Sequence, residues 1–157
     1  MPSSCQASSQ LDSSYPCDNT YPNRSGEWAT LNEASGAWIL FSFQSPVDVV
    51  RVSFTQNSYK TDSERAYFPI RDVGLAFSDG SHHSLTLSDA NQYIYTAIDV
   101  TTVTWVRVDF LTTYTDSIIN FGIEEIVFYG FATTGIYIVL FFHKNYVRLG
   151  TNGTCTL

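Results

Sequence analysis

Two polar stretches hold the residue types that could do chemistry. The first, residues 56–69, contains Asn57, Tyr59, Lys60, Glu64, Arg65 and Tyr67. The second, residues 111–119, contains Thr112, Thr113, Tyr114, Thr115 and Asp116. This mixture suits recognition of a polyol. An aromatic ring stacks on the C–H face of a sugar, while Asn, Arg and Asp exchange hydrogen bonds with its hydroxyls. Arg65 is the strongest single candidate, because a guanidinium fork can hold two hydroxyls or a carboxylate at once. Tyr59 and Tyr114 are the candidate stacking platforms, with Asn57, Tyr67 and Asp116 as polar partners.

Catalysis is poorly supported by comparison. It needs a nucleophile, base or metal set against an orienting group. His82-His83 adjoins a turn signal and His143 lies near the C-terminus, with no partner group at a telling spacing. Glu124-Glu125 is a carboxylate pair, but neighbours on a strand point to opposite faces and do not share a site. A non-enzymatic binding protein is therefore the expectation.

Composition narrows the partners. The formal charge is -7, with only 8 Lys and Arg in 157 residues. Phosphate backbones and anionic membranes need clustered cations, so nucleic acid is not an expected partner. The longest apolar run, Gly135–Phe142, has eight residues and is too short to insert across a bilayer. The sequons Asn23-Arg24-Ser25 and Asn152-Gly153-Thr154 suggest an extracellular or cell-surface setting. Residues 1–35 show no apolar leader, so a secreted form of this chain is expected to be a fragment or to lack its signal peptide. The three cysteines, Cys5, Cys17 and Cys155, cannot all pair within the chain. A Cys5–Cys17 disulfide would close a short Ser-rich loop that buries little by itself, stabilising it by roughly 2–3 kcal/mol on chain-entropy grounds.

The elements that must position the two polar stretches are strands. Aromatics make up 15% of the chain, which suits half-buried pleated surfaces. Residues 1–24 read as an irregular entry segment with at most one short strand. A strand at 36–43, a Ser45-Pro46 turn and a strand at 47–55 follow. In the latter, Val50, Val52 and Phe54 are expected to face one way, with Arg51 and Ser53 facing the other. Val73, Leu75 and Phe77 alternate up to Ser78-Asp79-Gly80-Ser81, a hairpin turn. Strands are also expected around Leu85 and Leu87, at 93–98, around Val106, Val108 and Phe110, and at 123–129. Val50, Val52, Phe54, Val73, Leu75, Phe77, Val106, Val108, Ile126 and Phe128 should form one core. Residues 131–157 read as a tail outside it. Trp38 and Trp105 are expected to pack on the sheet, while Trp28 stands at a loop-to-strand junction.

These blocks resemble the discoidin, or coagulation factor V/VIII type C, domain and its galactose-binding-like relatives. The matching segments are Trp28, Gly36-Ala37-Trp38-Ile39, Pro46-Val47 leading to Val50 and Val52, residues 72–81, Val103–Val108 and Gly122–Tyr129. The resemblance covers residues 5–130. It implies an all-β jelly-roll sandwich of about eight strands that binds glycans, lipids or proteins through loops at one end. On that fold, residues 19–27, 56–67 and 112–116 would form the binding end of a lectin-like module. Its partner would be a glycan or glycoprotein, or, as the alternative, a protein receptor in adhesion or scaffolding. The resemblance also implies a calcium ion, with Asp18, Glu27 and Glu125 supplying carboxylates. The usual Asp-Gly pair of that loop is missing, since this chain reads Asn19-Thr20-Tyr21-Pro22-Asn23 there. Discoidin-like domains often join their two ends by a disulfide, which makes pairing of Cys5 or Cys17 with Cys155 the rival to Cys5–Cys17.

Overall fold

The computed structural model describes residues 2–22, 24–33, 35–56, 70–88, 94–114 and 120–133. Seven strands and one 3-10 turn, Cys17–Thr20, account for most of them. The strands are β1 (Pro2–Ala7), β2 (Trp28–Ala29), β3 (Trp38–Gln56), β4 (Ile70–Phe77), β5 (His82–Thr86), β6 (Ile94–Thr113) and β7 (Gly122–Ala132). All named pairings are antiparallel, in the order β2-β7-β3-β6-β4-β5, with β1 on the free side of β3.

Two long strands make the sandwich. The first part of β3, Trp38–Ser42, pairs with Asp109–Trp105 of β6 and with β1. Its second part, Val47–Phe54, pairs with Val103–Ile94 and with β7. Between them the register shifts at Ser42/Val47. Strands that switch layers through bends and bulges make the corners of such sandwiches. The Ser45-Pro46 turn read from the sequence is therefore a corner inside one 19-residue strand. The proline is tolerated there because it has no N–H to leave unpaired. Its carbonyl accepts from both the N–H and the hydroxyl of Thr133. The strands expected at 93–98 and around 106–110 are likewise one element, β6, carrying positive φ at Asp99 and Thr102.

The core fills the space between the layers. Phe41 meets Phe128 with ring centroids 5.4 Å apart, and Trp28 meets Phe110 at 5.4 Å and Phe121 at 5.7 Å. Of the expected core, Val52, Phe54, Val73, Leu75, Phe77, Val106, Val108, Ile126 and Phe128 are buried together. Val50 is the exception, at 37% exposed. A register shift between Val49 and Arg51 inserts an extra residue, so Val49 turns inward and Val50 outward. Ser53 faces away from the core as expected but is covered, with its hydroxyl 3.3 Å from that of Tyr129.

The hairpin at Ser78–Ser81 forms, and the Asp79 carboxylate accepts from the N–H and hydroxyl of Ser81. Those bonds hold its pKa below the usual carboxylate range. His82 and His83 open β5 beside that turn, and His83 sits edge-on to Phe77. A disulfide joins Cys5 to Cys17. It ties β1 to the 3-10 turn in a segment whose own apolar residues are few. Cys155 lies outside the described residues. β7 runs two residues past the expected boundary at residue 130, and of the expected 131–157 tail residues 134–157 lie outside the described residues. Phe131 pairs with Asp48 and Ala132 with Val47, and Thr133 still bonds Pro46.

Candidate functional site

One end of the sandwich gathers the strand termini that flank both polar stretches. Gln56 closes β3 and is 1% exposed. Its Oε1 accepts from the Ile70 N–H at 2.6 Å, and its Nε2 donates to the Ser88 carbonyl at 2.9 Å. One buried amide therefore fastens the end of β3, the start of β4 and the segment after β5. Ile70 pairs with Thr113, and Gln56 with Ile123, so the far end of β6 and the start of β7 arrive at the same place. The chain segments 57–69, 89–93 and 115–119 all leave from this end. Asn57, Tyr59, Arg65, Tyr67 and Asp116 belong to those segments and lie outside the described residues.

Tyr114 is described, and its role is more structural than the sequence suggested. Its hydroxyl donates to the Leu87 carbonyl at 2.6 Å, tying the end of β6 to the segment after β5. The residue remains 38% exposed while its hydroxyl is engaged. Below it, the Asp72 carboxylate accepts from the hydroxyls of Thr112 and Thr86, and those bonds hold it below the ordinary carboxylate range. Arg71 adds an ion pair at 3.3 Å. The three strands β4, β5 and β6 are thereby cross-linked on the side chains that precede the polar segments.

The described entry-side residues bonded at this end are Thr30, Asn32 and Ser35. The Asn32 N–H bonds the Asn120 side chain, Thr30 exchanges bonds with Phe121, and the Ser35 hydroxyl donates to the Leu111 carbonyl. Residues 19–27 precede β2, which runs antiparallel to the start of β7, so they lie along that edge, back from its tip. Among the described residues, three of the six exposed large apolar side chains, Leu31, Leu111 and Tyr114, belong to the segments that meet at this end. Sequence reading missed Leu31 and Leu111, because a single exposed leucine carries no signal until the fold places it beside others.

The tryptophans divide as follows. Trp28 is fully buried and donates its indole N–H to the Ser9 carbonyl, which removes it as a platform. Trp38 is half-buried under the Arg107 guanidinium, 4.8 Å from the ring, and Arg107 pairs with Asp109 at 2.7 Å. Trp105 is 37% exposed on β6.

The carboxylates of Asp18, Glu27 and Glu125, expected to hold calcium, do not all lie within 4.8 Å of one another. Among the described residues, the one group of three acidic, thiol or imidazole side chains with ligand atoms within 4.8 Å of one another is Cys5, Cys17 and Asp18. Two of these sulfurs are spent in the disulfide. Asp18 places a carboxylate oxygen 2.9 Å from Cys5 Sγ, a sulfur with no hydrogen to donate. Glu27 offers its backbone carbonyl to the Asn19 amide, and Glu125 lies within β7 opposite Thr55. Calcium takes six to eight oxygens at 2.3–2.6 Å. Among the described residues, no set of carboxylate oxygens of that number is gathered at this loop.

The structure is similar to several solved domains. A carbohydrate-binding module of family 32 from C. perfringens NanJ, in complex with galactose, matches at a TM-score of 0.61 and 12% identity, covering 80% of this chain and 91% of that one. The F5/8 type C domain of a Bacteroides fragilis protein matches at 0.63 and 18%, covering 80% and 89%. The mycobacterial arabinofuranosyltransferase AftD matches at 0.69 and 19% over 87% of this chain, which spans only 11% of that enzyme's length. At such identities the likeness establishes the fold, a discoidin-like jelly roll. Comparison with curated proteins finds no match. No helix among the described residues is long and apolar enough to cross a membrane. The sequence model of one family covers residues 3–129, and the chain accordingly belongs to that family, described as Domain of unknown function (DUF7402).

Proposed function

We propose that this chain is a non-catalytic glycan-binding module of an extracellular or cell-surface protein, and that it binds through the end of the sandwich closed by Gln56. The observation that carries this reading is the convergence at that end. The flanks of 57–69 and 115–119 are held together by Gln56, by the Ile70–Thr113 pairing and by Tyr114. Segments distant in sequence thereby share one rim, the arrangement a concave binding surface needs. The fold is shared with a module whose solved structure holds galactose. It also recurs as a small part of a glycosyltransferase, which supports an accessory role beside chemistry done elsewhere.

In this reading Arg65 and Asn57 bond sugar hydroxyls, Tyr59, Tyr67 and Tyr114 supply stacking, and Asp116 accepts from hydroxyls. A shallow site with few charges binds a monosaccharide at about millimolar Kd, roughly 4 kcal/mol. Several copies in one assembly would then supply avidity. The test is titration of galactose and other monosaccharides against the wild type and against Arg65→Ala combined with Tyr59→Ala, with circular dichroism to confirm folding. Binding by the wild type that the double variant loses supports the site. Unchanged binding by a folded double variant places the site elsewhere on the sandwich. Failure of every sugar to bind at millimolar concentration favours a protein receptor as the partner.

A further inference from the structure

The loop that the discoidin resemblance assigns to calcium is cross-linked here by an amide. Asn19 sits on the 3-10 turn and directs Nδ2 to two backbone carbonyls, Ser14 at 2.9 Å and Glu27 at 3.0 Å. The orientation is not ambiguous. Both partners can only accept, so the NH2 group must face them, and its two hydrogens satisfy both. The acceptors stand five residues before and eight residues after Asn19, so this one group joins the two arms of the loop.

The surroundings are built around that amide. Gly26 has φ +120°, and a Cβ there would lie 2.9 Å from Asn19 Nδ2. Position 26 is therefore restricted to glycine twice, by backbone conformation and by the amide packed against it. The Thr20 hydroxyl donates to the Cys17 carbonyl, the Tyr21 N–H to Asp18 and the Arg24 N–H to Tyr21. Trp28 pins Ser9, and the disulfide fixes Cys17 to β1. The Asp18 carboxylate is turned to the disulfide, away from the role of a ligand shared with Glu27 and Glu125.

A divalent cation and a primary amide solve the same problem in different ways. Each draws carbonyl oxygens from separate chain segments to one point. The cation needs several anionic oxygens to offset its charge, whereas the neutral amide needs none. We propose that the Asn19 carboxamide takes the place of calcium in this chain, so that the loop closes without metal and the module is indifferent to chelators. Asn19→Asp inverts the chemistry at that point. A carboxylate would face two carbonyl oxygens with nothing to donate, leaving three oxygens aimed at one position, the beginning of a cation site.

The experiment compares thermal unfolding of the whole chain in millimolar EDTA and in millimolar calcium, for the wild type and for Asn19→Asp. The wild-type midpoint should agree in the two buffers to within about 1 °C. The variant should melt about 5 °C or more below the wild type in EDTA. Calcium should then recover a substantial part of that loss. A wild type that melts lower in EDTA overturns the proposal without any variant being needed. So does a variant that melts with the wild type in EDTA, or one that calcium leaves unmoved.

Discussion

Replacing Gln56 with Leu tests whether one buried amide organises the end of the sandwich proposed to bind. Leucine replaces the polar amide with an apolar group of comparable bulk, and it removes both hydrogen bonds. The Ile70 N–H then loses its acceptor in a place where Ile70 itself is fully buried. An unsatisfied buried donor costs ~1–3 kcal/mol. The Ser88 carbonyl also loses its donor, but Ser88 is exposed and water can replace the amide, so its contribution is near the lower end. The leucine regains part of the loss through apolar burial. The expected net destabilisation is ~2–3 kcal/mol, measured by urea unfolding of wild type and variant with unchanged m-value. Native-state hydrogen exchange adds the local readout. The Ile70 amide should exchange much faster, while the amides of Phe41 and Val108, several residues along the same layer from Ile70, change only by the global amount. Gln56→Glu refines the test. Its carboxylate still accepts from Ile70 but opposes the Ser88 carbonyl, whereas the protonated acid can do both jobs. Burial with that geometry raises the folded-state pKa above the unfolded one, so Gln56→Glu should be least destabilised in acid and lose stability as pH rises toward neutrality. A Leu variant within about 0.5 kcal/mol of wild type would refute the role given to Gln56.

Gly130 lies where β7 crosses the bulge of β3, and a Cβ there would come within 1.7 Å of the Asp48 carbonyl oxygen. Backbone cannot step aside as a side chain can, so Gly130→Ala should cost ~3 kcal/mol or more, or prevent folding, as read by denaturant melts. Val52→Ala should cost ~2 kcal/mol and Val50→Ala less than about 0.5, since the bulge buries the first and exposes the second; equal losses would mean the register is misplaced. Tyr21 is pushed up to about 12, chiefly by burial and then by Asp18, and its hydroxyl is buried without a hydrogen-bond partner. A raised folded-state pKa keeps its contribution intact below pH 10 and loses it as pH climbs from 10 toward 12. Tyr21→Phe should therefore be neutral or slightly stabilising at pH 7 and should weaken the alkaline loss; an unchanged alkaline profile would count against the assignment.

The strands were legible wherever alternation was strict. Val73-Leu75-Phe77 and Val106-Val108-Phe110 have one way to sit with a face inward, and both sit that way. Legibility ends where two local solutions have the same sequence signature. Val49-Val50 offers two adjacent valines, and only the pairing of β3 with β6 and β7 decides which faces the core. Ser45-Pro46 serves a hairpin turn or a corner equally well. The choice lies with Thr133, nearly ninety residues away, whose N–H and hydroxyl take up the proline carbonyl. The disulfide was legible for a different reason. Cys5 and Cys17 are close in sequence, so local chain statistics already favoured their pairing.

The sequence offered candidate ligand-meeting residues for the site but not the residues that support it. A search for chemistry notices Arg, Tyr and carboxylates, because those groups meet ligands. The residues that position this end are amides and hydroxyls working on backbone groups: Gln56 on Ile70 and Ser88, Tyr114 on Leu87, Ser35 on Leu111. Their partners are carbonyls and N–H groups, which every residue possesses, so no spacing announces them. The same blindness explains the entry loop. Asp18, Glu27 and Glu125 drew attention as carboxylates, while the group that closes the loop is Asn19. An amide is also the cross-link that responds least to its medium. It neither titrates nor exchanges with solution ions, so the entry loop and the Gln56 end of the sandwich, both fastened by amides, should keep their geometry across changes of salt and divalent ions.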